Sequence, residues 1–220
     1  MILDLPFLYE DNHVLAVCKP FGMLSQGDLT GDLDVLTVAK QIIKSRDQKT
    51  GNVFLGLVHR LDRPVGGAML VAKTSKAAAR LSAQFRERST EKIYWAVVQG
   101  CPAASEAELC HRLQKDSATR ITRVTASGGK EARLRYRVQK TAADRTLLEV
   151  QLITGLSHQI RAQLSAIGHP IVGDRKYGAT LPYVPGSVGL FSKSIRFDHP
   201  TRKAPVTVEA TIPSNWPFPP

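Results

Sequence analysis

Nowhere in the 220 residues does an apolar run approach the ~20 residues that cross a bilayer as a helix, which excludes a helical membrane protein. Cysteine is scarce. Cys18, Cys101 and Cys110 form no CxxC pair, and an odd count at these spacings argues for reduced thiols in a reducing compartment. Cys110-His111 has no second pair nearby to complete a metal site. The N-terminal stretch MILDLPFLYEDNHV carries acids and neither Lys nor Arg, unlike a secretory or mitochondrial presequence, so the expected location is the cytoplasm. Also missing are a P-loop, a GxGxxG opening a helix after a strand, and HExxH. NTP hydrolysis, dinucleotide redox chemistry and zinc hydrolysis therefore lack support, and neither metal nor cofactor is expected.

Acidic residues are in short supply as well. Thirty Lys and Arg stand against nineteen Asp and Glu, a formal net charge of +11. A surplus of that size points to a polyanionic partner, because each neutralised phosphate releases condensed counterions. The excess is localised: His111 to Arg145 holds ten Lys/Arg and three acids, net +7 in 35 residues. Within it, Arg133, Arg135 and Arg137 alternate with Leu134, Tyr136 and Val138. One strand face is then apolar and the other a row of three guanidinium groups, suited either to RNA phosphates or to guarding an edge strand.

Hydrophobic residues make up 43% and charged residues 22%, a globular composition, in a length that suits one domain or two small ones. VLAVCKP (14–20) reads as a strand ending at a Pro-Phe-Gly turn, and Asp34 to Arg46 as a helix with Val35, Val38 and Ile42 on one face. VFLGLV (53–58) and AMLVAK (68–73) read as buried strands on either side of the loop HRLDRPVGG. Thr74 or Ser75 caps a following helix that turns Ala77, Leu81 and Phe85 inward. IYWAVVQG (93–100) and TLLEVQLITG (146–155) read as strands, and ITRVTASGGKEARLRYRVQK as a hairpin turning at Ser-Gly-Gly. SHQIRAQLSAIG is a short helix capped by Ser157, and SIRFDHP and PVTVEATIP add strands before the Pro-rich NWPFPP. Hairpin-like strands with separate helices give an α+β class: one domain over 1–220, in two lobes sharing a sheet.

Two segments carry candidate chemistry. The loop His59-Arg60-Leu61-Asp62-Arg63 joins two apolar strands, so its backbone is anchored. Flanking arginines favour an ionised Asp62, suited to act as nucleophile, general base or metal ligand; the plainer role is a turn cap or an ion pair. In the second segment His158 and Arg161 stand three apart near a helix N-terminus, where anions bind. The plainer reading makes Arg161 an exposed helix residue and His158 a local cap. Tyr94 and Trp95 point to opposite faces of a strand, so one is core and the other can meet a base.

Taken together, NHVLAVCKPFGMLSQG, GLVHRLDRPVGGAMLVAKT, EKIYWAVVQG and LLEVQLITGLSHQIRAQLSAIGHPIVGDRKYG resemble, in order, the motifs of the RluA-type family of RNA pseudouridine synthases. The resemblance implies a mixed, largely antiparallel sheet with flanking helices and a catalytic cleft. It also implies isomerisation of uridine in structured tRNA or rRNA, with no cofactor. Asp62 matches the family's nucleophilic aspartate, Tyr94 the tyrosine that packs on the target base, and Arg161 the arginine paired with that aspartate. His59, Arg60, Ile153, His158 and Gln159 from the same motifs are assigned to substrate binding, with Arg133, Arg135 and Arg137. Whether the aspartate attacks C1′ or abstracts a proton from the sugar stays open. RNA is the expected partner, with no protein partner, no membrane, a monomeric state and no separate N-terminal RNA-binding domain. Three positions depart from the family pattern: Val65-Gly66 where Thr-Ser is usual, Leu156 where Arg is usual, and Gln163 where His is usual. These departures make a non-catalytic RNA-binding protein of the same fold the main rival, ahead of a carboxylate glycosidase, which the charge disfavours.

Overall fold

A computed structural model describes residues 5–218, which divide into two compact units: one running through Thr90 and including Ser192–Thr211, the other Glu91–Phe191 with the segment from Ile212. The last two residues of the Pro-rich tail lie outside the described residues. Among the described residues no helix is long and apolar enough to cross a membrane, and the three cysteines are unpaired.

The first unit opens with β1 (Phe7–Glu10), β2 (Val14–Lys19) and α1 (Val35–Arg46), followed by β3 (Gly56–Leu57), β4 (Gly66–Ala72) and α2 (Ser75–Glu87). All seven residues of β4 are buried, as its unbroken apolar run requires of a strand covered on both faces. It pairs antiparallel with β2 from Val14↔Ala72 to Lys19↔Gly67. Asp34 caps α1: Oδ1 accepts from Leu36 N at 2.9 Å and Thr37 N at 3.1 Å. The inward face of α1 is Val35, Val38, Ala39 and Ile43; Ile42 is only half-buried, one position off the expected stripe. The expected strand over 53–58 shrinks to Gly56–Leu57, since Phe54 is 51% exposed and only Leu55 of its neighbours is buried.

The second unit contains β5 (Glu91–Gln99), β6 (Glu106–Lys115), β7 (Thr122–Thr125), β8 (Lys130–Thr141), β9 (Arg145–Leu152), α3 (Gln159–Ala166) and a single 3-10 turn, Arg175–Tyr177. Its antiparallel strands lie in the order β5-β9-β8-β6-β7. The hairpin expected around Ser-Gly-Gly is thereby corrected: β6, which the sequence reading passed over, lies between β7 and β8 and pairs with both. β8 is bordered by β9 and β6, so the arginine strand is not an edge. Registry fixes the two faces. Tyr94 lies opposite Val150 and Val150 opposite Tyr136, all buried. Trp95 lies opposite Glu149, and Glu149 opposite Arg137, on the other face. Ala162 of α3 packs with Leu113, Ala132 and Tyr177, which puts α3 on the Tyr94 side. The chain ends in β10 (Leu190–Asp198) and β11 (Pro205–Glu209), paired from Ser194↔Glu209 to Asp198↔Pro205; from Ser192 onward β10 belongs to the first unit.

Gly67 shows how tightly the first unit closes at β4. Its φ is +110°, and a Cβ there would sit 2.3 Å from Ser192 O and 2.7 Å from Ser192 N. Gly66, one of the departures from the family pattern, is explained nearby: a Cβ would meet the Phe21 ring at 3.0–3.1 Å. We predict that Gly67→Ala destabilises the protein by about 3 kcal/mol or more in denaturant unfolding, combining φ strain with overpacking. A loss under about 1 kcal/mol would contradict the packing described.

A second prediction concerns acid. The Glu10 carboxylate receives Arg46 Nη1 at 2.6 Å and Lys73 Nζ at 2.7 Å, and these partners, Arg46 foremost, hold its pKa down to about 2. A folded-state pKa below the unfolded one means that the contribution is complete above about pH 4.5 and fades as pH falls toward 2. Glu10→Gln should therefore be less stable than wild type at pH 7, by under ~1 kcal/mol because the Arg46 partner is solvent-screened. The gap should close between pH 4.5 and 2 in thermal melts. A gap independent of pH would refute the ionic origin.

Candidate active site

In the first unit the loop after β3 is fastened on both sides of Asp62. Ser25 Oγ donates to Leu61 O at 2.7 Å and accepts from Leu61 N at 3.1 Å. Gly22 N donates to Arg63 O at 2.9 Å, and Arg63 Nε donates back to Gly22 O at 3.0 Å. Val65 N closes the turn on Asp62 O at 3.0 Å, while Leu61 and Val65 are buried. Asp62 itself is half-buried on this fixed backbone.

Lys19 is the residue the sequence reading missed. Only 1% exposed at the end of β2, it donates from Nζ to Pro20 O (3.0 Å), Met23 O (2.6 Å) and Arg63 O (3.1 Å). One ammonium thus joins the turn after β2 to the Asp62 loop. Burial pushes its pKa down to about 7, against the pull of the Asp62 carboxylate, which favours the charged amine. A lone Lys closing an otherwise apolar strand was the available signal, since a charge is buried only when it is partnered.

His59 and Arg60 occupy the same loop in different ways. His59 Nε2 accepts from Leu70 N at 2.9 Å, and its ring stacks on Phe85 with centroids 4.5 Å apart, so its visible contacts are architectural. Arg60 is exposed and has no hydrogen bond or ion pair among the described residues.

In the second unit, α3 starts without the expected Ser157 cap. His158 occupies the N-cap position at φ +54°, and its side chain makes no capping bond. Gln159 does the fastening. Its Oε1 accepts from Thr154 Oγ1 (2.7 Å) and Leu156 N (3.0 Å), and its Nε2 donates to Arg133 O at 3.1 Å. Thr154 Oγ1 in turn accepts from Arg133 N at 2.8 Å, and Ile153 N donates to Arg133 O at 3.2 Å. Ile153, Gln159 and the Arg133 backbone therefore form one tie between β9, α3 and β8. Gln163, another departure, donates from Nε2 to Leu109 O and Ala132 O, both at 3.2 Å, clamping α3 to β6 and β8. Its buried Oε1 has no partner among the described residues.

Arg161 is 4% exposed, not the surface residue of the plainer reading. Its Nε donates to Asp174 Oδ2 at 2.6 Å and its Nη2 to Asp174 Oδ1 at 2.8 Å, with Cζ 4.9 Å from the centroid of the Tyr177 ring. The sequence reading missed both partners, although an acid in the short run GDRKYG was a visible signal. The Tyr177 hydroxyl accepts from Thr122 N at 3.0 Å and lies 2.8 Å from His158 Nδ1, and burial pushes its pKa up. Tyr94 is 7% exposed on the face that α3 covers.

The arginine row lies elsewhere. Arg133, Arg135 and Arg137 are on the sheet face opposite Tyr94, and each is paired with a glutamate. Glu108 takes Arg133 and, at 2.8 Å, Arg135 Nε; Glu149 takes Arg137 Nη2 at 3.2 Å. Cross-strand pairing supplies acids that the linear count from His111 to Arg145 omits, because Glu108 and Glu149 lie just outside that window.

The chain matches the family model described as RNA pseudouridylate synthase over residues 13–166. The ribosomal large subunit pseudouridine synthase C of Vibrio vulnificus is 34% identical over 214 residues, spanning 93% of this chain and 65% of that protein. The ribosomal large subunit pseudouridine synthase D of Xylella fastidiosa is 32% identical over 227 residues, spanning 97% of this chain and 67% of that protein. The chain thus spans about 65% of the length of the first of these curated relatives. Among solved structures, human RNA Pseudouridylate Synthase Domain Containing 4 aligns with a TM-score of 0.77 at 22% identity, covering 94% of this chain and 88% of that one. Human RNA Pseudouridylate Synthase Domain Containing 1 gives the same TM-score at 24% identity, covering 97% and 85%. The likeness shows the α+β fold of those proteins.

The Arg161–Asp174 pair yields a stability prediction. Asp174→Ala leaves a buried guanidinium without its bidentate acceptor and should cost about 3–5 kcal/mol in denaturant unfolding. Arg161→Met combined with Asp174→Leu should recover much of that loss. A single-variant loss under about 1 kcal/mol would show that the pair does not hold α3 in place.

Proposed function

Because the chain belongs to the RNA pseudouridylate synthase family, we propose that it isomerises uridine to pseudouridine in a structured tRNA or rRNA. Large-subunit rRNA is the first candidate, as the names of the relatives suggest. The observation that carries this reading is the loop around Asp62, whose neighbours on both sides are held by hydrogen bonds to their backbone while Asp62 itself stays only half-buried. A reacting group needs that kind of fixed position, because misplacement erodes the gain from orientation.

The chemistry asks little beyond a placed carboxylate. The N1–C1′ bond breaks, the uracil turns, and C5 bonds to C1′; C5 then gives up its proton and N1 gains one. Atoms and electrons balance without an oxidant, a reductant or a second substrate. Asp62 acts at the sugar, either by attack at C1′ or by taking a proton, and both routes require it ionised. Tyr94 supplies the ring on which the uracil packs, and Arg161 the guanidinium held in fixed orientation by Asp174 and Tyr177. The target nucleotide leaves its stack, at a cost of a few kcal/mol that phosphate contacts offset. Arg60, exposed and unpaired among the described residues, suits such a contact. His158, beside Tyr177, is likewise assigned to substrate binding. The Arg133–Arg137 row contributes less, since its charge is already taken by glutamates.

Release of tritium from RNA containing 5-tritiated uridine reads C5 chemistry directly, which neither an RNA-binding module nor a hydrolase performs. Wild type should release tritium, and Asp62→Asn should reduce release by at least ~100-fold while RNA affinity stays within a few-fold. An Asn variant with near-wild-type turnover, deamidation excluded, would remove Asp62 from the chemistry.

A further inference from the structure

The first unit carries a recess of about 310 Å³ lined by Lys40, Gln41 and Lys44 of α1 and by Asn52 and Val53. The residues around it comprise two lysines, a glutamine, an asparagine and a valine, with no acidic residue among them. Neither lysine has an ion pair or hydrogen bond among the described residues, whereas the other cations at this end of the helix are occupied: Arg46 by Glu10 and Asp47, and Lys49 by Asp47. Lys44 lies in the last turn of α1, where the helix dipole favours a cation, and the two ammonium groups stand together on one helix face without an acid between them.

The helix is also tied to the Asp62 loop. Val35 N donates to Leu24 O at 2.9 Å, and the adjacent Ser25 is the residue that grips Leu61. At ~1.5 Å per residue, Lys40 and Lys44 stand ~9 and ~15 Å along the axis from Asp34. The recess therefore lies on a helix whose first turn is bonded to the segment that grips the candidate catalytic loop.

We propose that this recess is a contact for the RNA backbone outside the target nucleotide, with Lys40 and Lys44 each meeting a phosphate and Gln41 and Asn52 donating hydrogen bonds. The proposal rests on the RNA-modifying function above and adds the place where the substrate is gripped. Cations carrying a phosphate load while amides fix register is the usual division of labour at such surfaces.

The test compares salt-dependent binding of a large-subunit rRNA transcript by wild type and by Lys40→Gln/Lys44→Gln. Losing two phosphate contacts should flatten the slope of log affinity against log salt by about 1.4–1.8 and weaken binding roughly ten-fold or more at low salt. Lys40→Arg/Lys44→Arg should keep wild-type affinity. Lys76→Gln/Lys203→Gln, an equal change in net charge at exposed positions elsewhere on the first unit, should leave the slope nearly unchanged. Wild-type affinity and slope in the Lys40→Gln/Lys44→Gln protein would overturn the proposal, as would an equal effect from the Lys76/Lys203 control. Tritium release by wild type is scored separately. Its absence alongside a surviving binding contrast would overturn the catalytic reading and leave the recess assigned.

Discussion

One buried ammonium group holds the candidate catalytic loop in place. Lys19 ends a strand whose other residues are almost all buried and apolar, and its three acceptors are backbone carbonyls on two separate segments. Carbonyls closed off from water need a donor, and a buried amine needs acceptors, so each makes the other's burial tolerable. Burial alone would drive Lys19 toward neutrality, and the Asp62 carboxylate opposes that. The group assigned to chemistry thus helps keep charged the group that positions it. The pairing of β2 with β4 and the paired bonds of Ser25 and Leu61 then leave the loop little freedom.

The second unit uses the same device with a different cation. Arg161 is buried, held in the plane of Asp174 by two bonds and covered by Tyr177, so its guanidinium has a single orientation. Around it, Thr154 and Gln159 tie the start of α3 to the backbone of Arg133, and Gln163 ties its middle to Leu109 and Ala132. Each sequence motif therefore divides its residues between two jobs. His59, Leu61, Thr154 and Gln159 make framing contacts, which hold the two residues proposed for the chemistry, Asp62 and Arg161. Two departures from the family pattern fall on framing positions: Gly66 leaves room for Phe21, and Gln163 clamps two strands. They alter how the frame is packed and leave Asp62, Tyr94 and Arg161 as they are.

Elements with strong local signals were legible in the sequence. β2, β4, β5 and β9 are apolar runs, α1 begins at an Asp cap and α2 at a Thr cap, and the structure has each of them. β6 escaped because its inward positions, Ala107, Leu109, His111 and Leu113, are weakly hydrophobic as a set, and only Leu113 is fully buried. The arginine row was correctly placed on one face of β8, yet its partners come from β6 and β9, and registry between strands is not written in either strand alone. Lys19, Asp174 and the two lysines of α1 share that difficulty. Each carries at most a local hint in sequence and gains its meaning from what the fold sets beside it.

The proposed reaction converts uridine to pseudouridine in RNA. The most direct measurement maps pseudouridines nucleotide by nucleotide in total RNA from cells with and without the protein. At least one uridine in a structured RNA should be converted only when the protein is present. Identical maps would contradict the account and favour a binding protein that keeps the fold without the reaction.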